Sequence, residues 1–251
     1  MASTHANPDS GMSCNPMFPS THWSLVCTAG DSHSPASADA RARFYQAYRY
    51  PLYAFARREG RSPEDAEDIV QGFFLELLSK KWFRRPDSQQ GRLRSFLLAC
   101  YRSFQSDLWR SERAAKRGQG RVESLEAVFE NPEERYRFEP RDEADPARLY
   151  DRIWVQSLVE RAMQRLADEQ GEGNGAARFI ILNQFLPGRH PSISQAQAAA
   201  QLGMTENAVN QAVHKLRLRL RQILREEIAQ TCLSPGDFQE ELRFILDQWS
   251  V

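Results

Sequence analysis

The side chains whose types and spacing most clearly indicate chemistry lie between residues 205 and 217. One face of this stretch would carry hydroxyl, carboxylate, amide, imidazole and cationic groups, from Thr205, Glu206, Asn207, Asn210, Gln211, His214, Lys215 and Arg217. Asn and Gln amides can form paired hydrogen bonds to adenine, whereas Lys and Arg bind guanine or phosphate. The set therefore predicts a surface that reads base edges in a DNA groove. The alternative interpretation is a solvated face on an ordinary core helix.

A helix must present these side chains together, and the sequence predicts one. Apolar residues recur at steps of four, three, four and three, at Val209, Val213, Leu216, Leu220 and Ile223. That spacing forms one helical stripe. Thr205 stands where an N-cap is needed, and Gly203 can supply a left-handed turn after the alanine-rich residues 194–202. Two helices joined by such a turn are typical of the helix-turn-helix unit, whose second helix enters the major groove.

Charge is distributed unevenly, although the 33 basic and 33 acidic residues of the chain cancel. Residues 80–121 contain twelve basic and three acidic side chains, and residues 205–225 contain five basic and one acidic. Residues 123–145 have three basic against nine acidic side chains, and residues 226–251 have one against six. Two basic blocks separated by an acidic one are expected if two parts of the chain meet phosphates.

The apolar pattern predicts an all-α fold of two small helical domains joined by a flexible linker, the second ending in the helix-turn-helix. The segments are a disordered N-terminal tail (1–36), a first domain (37–118), an acidic linker (119–147), a second domain (148–228) and an amphipathic C-terminal tail (229–251).

The C-terminal tail would carry one apolar face, formed by Phe238, Leu242, Ile245, Leu246 and Trp249. We interpret this face as packing on the second domain. The alternative is a partner site that masks the DNA-binding surface.

In the first domain, the stretch "SPEDAEDIVQGFF" contains several helix-start signals. Ser62 is a candidate N-cap, Pro63 takes the first helical position, and acidic residues follow in the first turn. Its buried side would be formed by Ala66, Ile69, Val70, Phe73 and Leu77. Asp65, Asp68 and Gln71 fall at helical spacing on the other side.

This motif and the later "GRLRSFLLACYRSFQSDLWRSERAAKRG" resemble domain 2 of the extracytoplasmic-function group of RNA polymerase sigma factors, within the sigma-70 family. The helix-turn-helix, with its Leu-Gly turn, resembles domain 4 of the same group. The similarity covers roughly residues 38–228. It implies a factor that binds core RNA polymerase, recognises and opens promoter DNA, and initiates transcription of a specific gene set. Residues 37–118 would contact the minus-ten element and residues 148–228 the minus-thirty-five element.

The resemblance also implies residue roles. Asp65, Asp68 and Gln71 would bind polymerase. The downstream promoter element would be held by Arg92, Arg94, Arg102, Trp109, Arg110, Arg113, Lys116 and Arg117. Phe96 and Phe104 are expected in the core, whereas Trp109 either stacks on an unpaired base or covers the end of the domain.

The sequence departs from the family pattern at Gly72, at residues 210–212 and at Ala198, which replaces a larger aliphatic residue, so the first helix of the helix-turn-helix is expected to pack thinly. Gly72 stands where the family usually has an acidic residue, and glycine inside a helix weakens it. Asn210, Gln211 and Ala212 stand where relatives commonly have Lys, Ser and Arg. The usual phosphate contacts are therefore in doubt, and base reading by amides is the expectation.

Two rival functions remain. A stand-alone helix-turn-helix regulator would bind DNA unaided. A metal-dependent nuclease or recombinase would use Glu64, Asp65, Glu67 and Asp68, but these four diverge around one helical turn. The sequence has no phosphate-binding loop, zinc-protease motif or nucleophile elbow.

The remaining expectations concern cofactors, partners and location. The four cysteines are scattered without metal-ligand spacing, so we expect no cofactor and no metal site. No apolar stretch is long enough to span a bilayer, which indicates a cytoplasmic protein without membrane insertion. The expected partners are core RNA polymerase and promoter DNA, with an anti-sigma factor or other regulator as a further candidate.

Overall fold

The computed structural model describes residues 37–78, 91–114, 131–139 and 145–249. Its regular elements are helical, and the prediction of an all-α fold is confirmed. In chain order the α-helices are α1 (Ser37–Arg58), α2 (Pro63–Leu78), α3 (Leu93–Ala114), α4 (Pro132–Tyr136), α5 (Pro146–Asp168), α6 (Asn174–Leu182), α7 (Gln195–Leu202), α8 (Glu206–Gln230) and α9 (Pro235–Trp249). Within these ranges, none of the helices combines the length and apolar character needed to cross a membrane. The predicted disordered tail, residues 1–36, lies outside them.

The helix starts follow the local chemistry of the sequence. The Asp65 N–H donates to Ser62 Oγ at 3.1 Å, so Ser62 caps α2 as predicted. Ser194 and Gln197 form a reciprocal capping box at the start of α7. Gly203 ends α7 with φ 62° and ψ 34°, in the left-handed conformation that glycine adopts without strain. Thr205 then caps α8 by accepting from the Ala208 N–H at 3.2 Å.

A first core is formed by α1, α2, α3 and the first half of α5. It is rich in aromatic rings, among them Phe73 and Tyr101, which meet edge to face with centroids 5.3 Å apart. Tyr48 of α1 stacks on Trp154 of α5 with centroids 4.9 Å apart and ring planes 18° apart. Both of these side chains are fully buried, so α5 is an integral part of this core.

A second core lies between the end of α5 and the helices α6 to α8. The predicted stripe of α8 faces it: Val209, Val213, Leu220 and Ile223 are buried. Ala198 of α7 packs against the beginning of that stripe, and its small side chain allows a close approach. The predicted apolar stripe of α8 is therefore confirmed. It could be predicted because it depends on helical periodicity alone.

Helix α5 joins the two cores without interruption. Its residues Leu149 to Leu158 pack into the first core, whereas Ala162 and Leu166 pack into the second. The predicted linker (119–147) ends inside the first turn of α5, where the predicted second domain begins, and these bounds remain predictions. The helix is continuous over Pro146–Asp168, and its apolar side chains pack in one core in its first half and in the other in its second.

The described part of the predicted acidic linker is docked on α1. Asn131 is the N-cap of helix α4, and its side chain accepts from the Glu133 N–H. The Arg57 guanidinium donates to both Glu133 carboxylate oxygens, at 2.8 and 3.0 Å, and the Tyr53 hydroxyl donates to the same group at 2.7 Å. The arginine holds the pKa of the Glu133 carboxyl below its ordinary value.

Acid should therefore remove the contribution of Glu133 to stability. A carboxyl with a lowered pKa in the folded state stabilises the fold fully above its unfolded pKa, about 4.3, and loses that effect as the pH falls through the lower folded value. Near neutral pH, Glu133→Gln should lower the free energy of unfolding by about 1–2 kcal/mol. Urea unfolding at a series of pH values should show this difference shrinking below pH ~4. The same change at exposed Glu134 is the control, and a difference that stays constant with pH would contradict the assignment.

Helix α9 packs on α8 and α5, which both belong to the predicted second domain, where we expected the amphipathic tail to pack, and its apolar side chains join the first core. Ile245 is buried there, and Phe238, Leu242 and Phe244 are partly buried against the same core. Leu246 points away and is exposed. The side chain of Trp249 lies outside the described residues.

Candidate functional site

The outer face of α2 carries the predicted polymerase-binding residues. Asp65 and Asp68 are exposed and Gln71 is partly buried; Asp68 lies opposite the buried side of the helix, and Asp65 and Gln71 flank it. Leu75, two turns beyond Asp68, is 39% exposed and extends the same face with an apolar side chain. Sequence reasoning missed Leu75, although its spacing of seven from Asp68 could have indicated it.

The acidic residues of α2 do not form a metal site. Glu64, Asp65 and Asp68 are exposed and Glu67 is partly buried, each at a different angle around the helix. Among the described residues, no group of three or more His, Cys, Asp or Glu side chains is close enough to hold a metal ion.

Gly72 faces α3. A Cβ added there would lie 3.4 Å from Cζ of Phe104, an ordinary van der Waals contact, so packing alone does not require glycine at this position. Phe104 and Phe96 are both buried, as expected for core residues.

The beginning of α3 does not present its predicted cations freely. Arg92 is partly exposed, and its guanidinium lies 3.4 Å from a Glu240 carboxylate oxygen. Arg94 is only 8% exposed. It donates to both Glu241 oxygens at 2.9 and 3.1 Å and to Asp151 at 2.5 Å. In this arrangement Arg94 cannot reach DNA, because three charge-assisted hydrogen bonds already use its guanidinium.

The later part of α3 is more open. Arg102 is exposed, with its guanidinium 5.4 Å from the centroid of the Phe55 ring. Trp109 is 54% exposed, so it does not close the end of the core. The Arg61 guanidinium lies 5.2 Å from the Trp109 ring, a contact that sequence reasoning missed because Arg61 belongs to the turn between α1 and α2. Arg110 is exposed and pairs with Asp107 at 3.4 Å.

Three predicted DNA contacts fall outside what can be described. These are the side chain of Arg113 and the residues Lys116 and Arg117.

The predicted upstream DNA-binding residues share one exposed surface on α8. All eight side chains are exposed: Thr205, Glu206, Asn207, Asn210, Gln211, His214, Lys215 and Arg217. Two of them have internal partners. Thr205 is the N-cap of α8, and Arg217 donates from Nε and a terminal nitrogen to the Phe185 carbonyl oxygen at 3.2 and 2.7 Å. Arg217 therefore ties α8 to the turn that follows α6.

Comparison with known proteins bears on the first of these surfaces. Residues 44–115 match the family model of sigma-70 region 2. Region 2 is the part of sigma factors that binds core RNA polymerase and melts promoter DNA. No curated protein and no solved structure matches the chain.

The region 2 match contains most of α1, all of α2 and all of α3. It therefore contains the exposed acidic face of α2 and the open end of α3 with Trp109. The match covers less than a third of the chain and supports a relation to sigma-70 family sigma factors. The helix pair α7–α8 lies beyond the matched residues.

Proposed function

We propose that the chain is a sigma factor of the extracytoplasmic-function group, which brings core RNA polymerase to promoters and opens them. The observation that carries this proposal is the region 2 match at residues 44–115, which includes both an exposed acidic face and a cationic, aromatic helix end. In this proposal residues 37–118 act as sigma domain 2 and residues 148–228 as sigma domain 4.

Core polymerase would bind the outer face of α2. Asp65 and Asp68 supply charge for orientation, and exposed Leu75 supplies apolar area beside them. Interfaces commonly combine an apolar centre with a charged rim, and the charges fix partner and register. Support for this face comes from its exposure and from its location inside the region 2 match.

Promoter opening would use the open end of α3. An exposed indole such as that of Trp109 offers a flat surface on which an unpaired base stacks, and a neighbouring cation strengthens such a contact. Arg61 lies against the indole, and Arg102 and Arg110 are exposed nearby on the same helix. Cations around a stacking platform are typical of single-strand binding that does not depend on sequence.

Upstream promoter recognition would use α7 and α8 as a helix-turn-helix. The left-handed Gly203 and the Thr205 cap fix the angle between the two helices, and the bond from Arg217 to Phe185 fixes α8 on the module. Asn207, Asn210, Gln211 and Lys215 then form an exposed row from the first turns of α8. Amides and a cation in this position suit base reading in the major groove.

Co-purification with core RNA polymerase followed by run-off transcription tests the proposal. A sigma factor should assemble with the core enzyme and start transcripts from promoters that the core enzyme alone does not use. Its own binding to duplex DNA should be weak and sensitive to salt. A stand-alone regulator would instead occupy a specific site without polymerase, as a dimer on paired half-sites. Failure to assemble with core polymerase at low salt would exclude the sigma proposal.

Asn210→Ala should reduce discrimination at one upstream base pair. A bidentate amide contact contributes about 1–3 kcal/mol of preference for the correct base, so the ratio of transcripts from matched and mismatched promoters should fall by roughly 5- to 150-fold. Gln222→Ala is the matched control, since it removes an amide from the same helix about three turns further along. Unchanged promoter choice in the Asn210 variant would remove that residue from the recognition surface.

A further inference from the structure

The chain returns to the start of α3 after it leaves α8. The Leu93 N–H donates to the Thr231 carbonyl at 2.9 Å, and the Leu233 N–H donates to the Gly91 carbonyl at 3.0 Å. These bonds flank an antiparallel β-bridge between Arg92 and Cys232. The C-terminal segment, defined here as residues 231–249, is thereby attached to the helix that holds the downstream DNA-binding candidates.

Helix α9 of this segment also packs directly on the start of α3. A Cβ added to Gly91 would lie 2.1 Å from Oδ1 of Asp237, so the first turn of α9 touches the backbone there. The Arg94 guanidinium lies over the Phe244 ring, with its Cζ atom 3.7 Å from the ring centroid. Ile245 of α9 is buried in the first core, and Phe238, Leu242 and Phe244 are partly buried against it.

Carboxylates of α9 form ion pairs with two arginines that are candidates for binding DNA phosphates. Glu241 is 0% exposed, and its two carboxylate oxygens accept bidentate hydrogen bonds from Arg94. Glu240 forms an ion pair with Arg92. A carboxylate and a phosphate present the same kind of paired oxygen acceptors to a guanidinium. The docked segment and a DNA backbone therefore compete for the same two side chains.

The ion pairs between α9 and the start of α3 can be exchanged for contacts with phosphates. Buried ion pairs contribute little net stability, because the cost of removing charges from water offsets much of their attraction. Beside the apolar packing of Phe238, Leu242, Phe244 and Ile245, the contact contains the two carboxylate–arginine pairs, and these are the interactions that phosphates can replace.

We propose that α9 is an autoinhibitory segment, which masks Arg92 and Arg94 while docked and releases them to promoter DNA when it detaches. The proposal rests on the proposed sigma function for its role in promoter opening. When α9 detaches, Arg94 loses both bonds to Glu241 and keeps the bond to Asp151, so a phosphate can accept from the donors that Glu241 held.

A reversible disulfide between α9 and α3 tests this mechanism in the full chain. Disulfides need Cβ atoms about 3.5–4.5 Å apart, and the closeness of the Gly91 and Asp237 positions suits a Gly91→Cys/Asp237→Cys pair. All four native cysteines would be removed to prevent other pairings, Cys14, Cys27 and Cys232 by change to Ser and the buried Cys100 by change to Ala. The locked and reduced forms are then compared by mass spectrometry, by fluorescence anisotropy with a promoter bubble, and by open-complex formation with core polymerase.

The locked form should bind the bubble about tenfold more weakly than the reduced form at low salt, because two phosphate contacts are withheld. Reduction should restore binding and open complexes together. Each single-cysteine variant, treated with the same oxidant, is a control and should not change. Equal DNA binding by locked and reduced forms would overturn the autoinhibition proposal. Failure of all forms to assemble with polymerase would overturn the sigma proposal, while the anisotropy result still decides the role of α9.

A second variant changes charge without a cross-link. Glu240→Gln/Glu241→Gln keeps the shapes of both side chains but weakens their hold on the arginines, so bubble binding should tighten. The slope of log affinity against log salt should steepen by up to about 1.4, which corresponds to two added phosphate contacts on single strands. In an Arg92→Gln/Arg94→Gln chain the disulfide should no longer affect DNA binding. A persistent effect there would show that α9 acts on another surface and would contradict the masking of these arginines.

Discussion

Asp68→Arg should nearly abolish binding to core RNA polymerase. The side chain is exposed on the outer face of α2, within the region 2 match, so the change reverses a charge without disturbing the core. If polymerase meets this face with complementary charge, a like charge placed opposite costs several kcal/mol, which corresponds to roughly a hundredfold or greater loss of affinity. Arginine also has good helix propensity, so the helical content should remain unchanged.

The measurement is a pull-down of core polymerase by the tagged chain, with circular dichroism as a test of folding. Asp168→Arg is the matched control, because it makes the same charge reversal on an exposed residue in the last turn of α5. Adding salt should weaken the wild-type complex more than it weakens the variant, since the variant has lost part of the attraction. Normal assembly by Asp68→Arg would mean that the acidic face is only solvated.

The features that the sequence predicted well depend on nearby residues. The start of α2 at Ser62 and the turn at Gly203 each follow from a few adjacent residues, and the buried stripe of α8 follows from a spacing of three and four that repeats along one helix. Caps, left-handed turns and helical periodicity are local physical effects, so a single sequence contains the information to place them.

The features that it did not predict depend on contacts between distant parts of the chain. Arg94 and Glu241 are separated by 147 positions, and nothing near Arg94 indicates that a carboxylate would bury it. The basic block around it suggested DNA contact because charge patterns report composition and not burial. The same limit applies to α5, whose apolar residues predict a helix but do not say that its two halves face different cores.

Trp154→Ala should produce the largest loss of stability, and it should destabilise both halves of the molecule together. The indole is buried between Tyr48 and Tyr150, and removal of a buried Trp side chain typically costs about 3–5 kcal/mol through lost burial and a residual cavity. Because α5 runs without a break from the first core to the second, its loss of packing in one should loosen the other. Urea unfolding followed by circular dichroism should show a single transition at a lower midpoint.

Two further variants separate the packing of Trp154 from its chemistry. Its indole N–H is buried and has no hydrogen-bond partner among the described residues. Trp154→Phe keeps an aromatic ring against Tyr48 and removes that N–H, so part of the packing loss is offset and the cost should stay below about 1.5 kcal/mol. Phe138→Ala removes a ring that is 89% exposed and should change stability by less than about 0.5 kcal/mol. Two separate transitions in Trp154→Ala would mean that α5 does not couple the cores, and the modules would then fold independently, as the sequence alone had suggested.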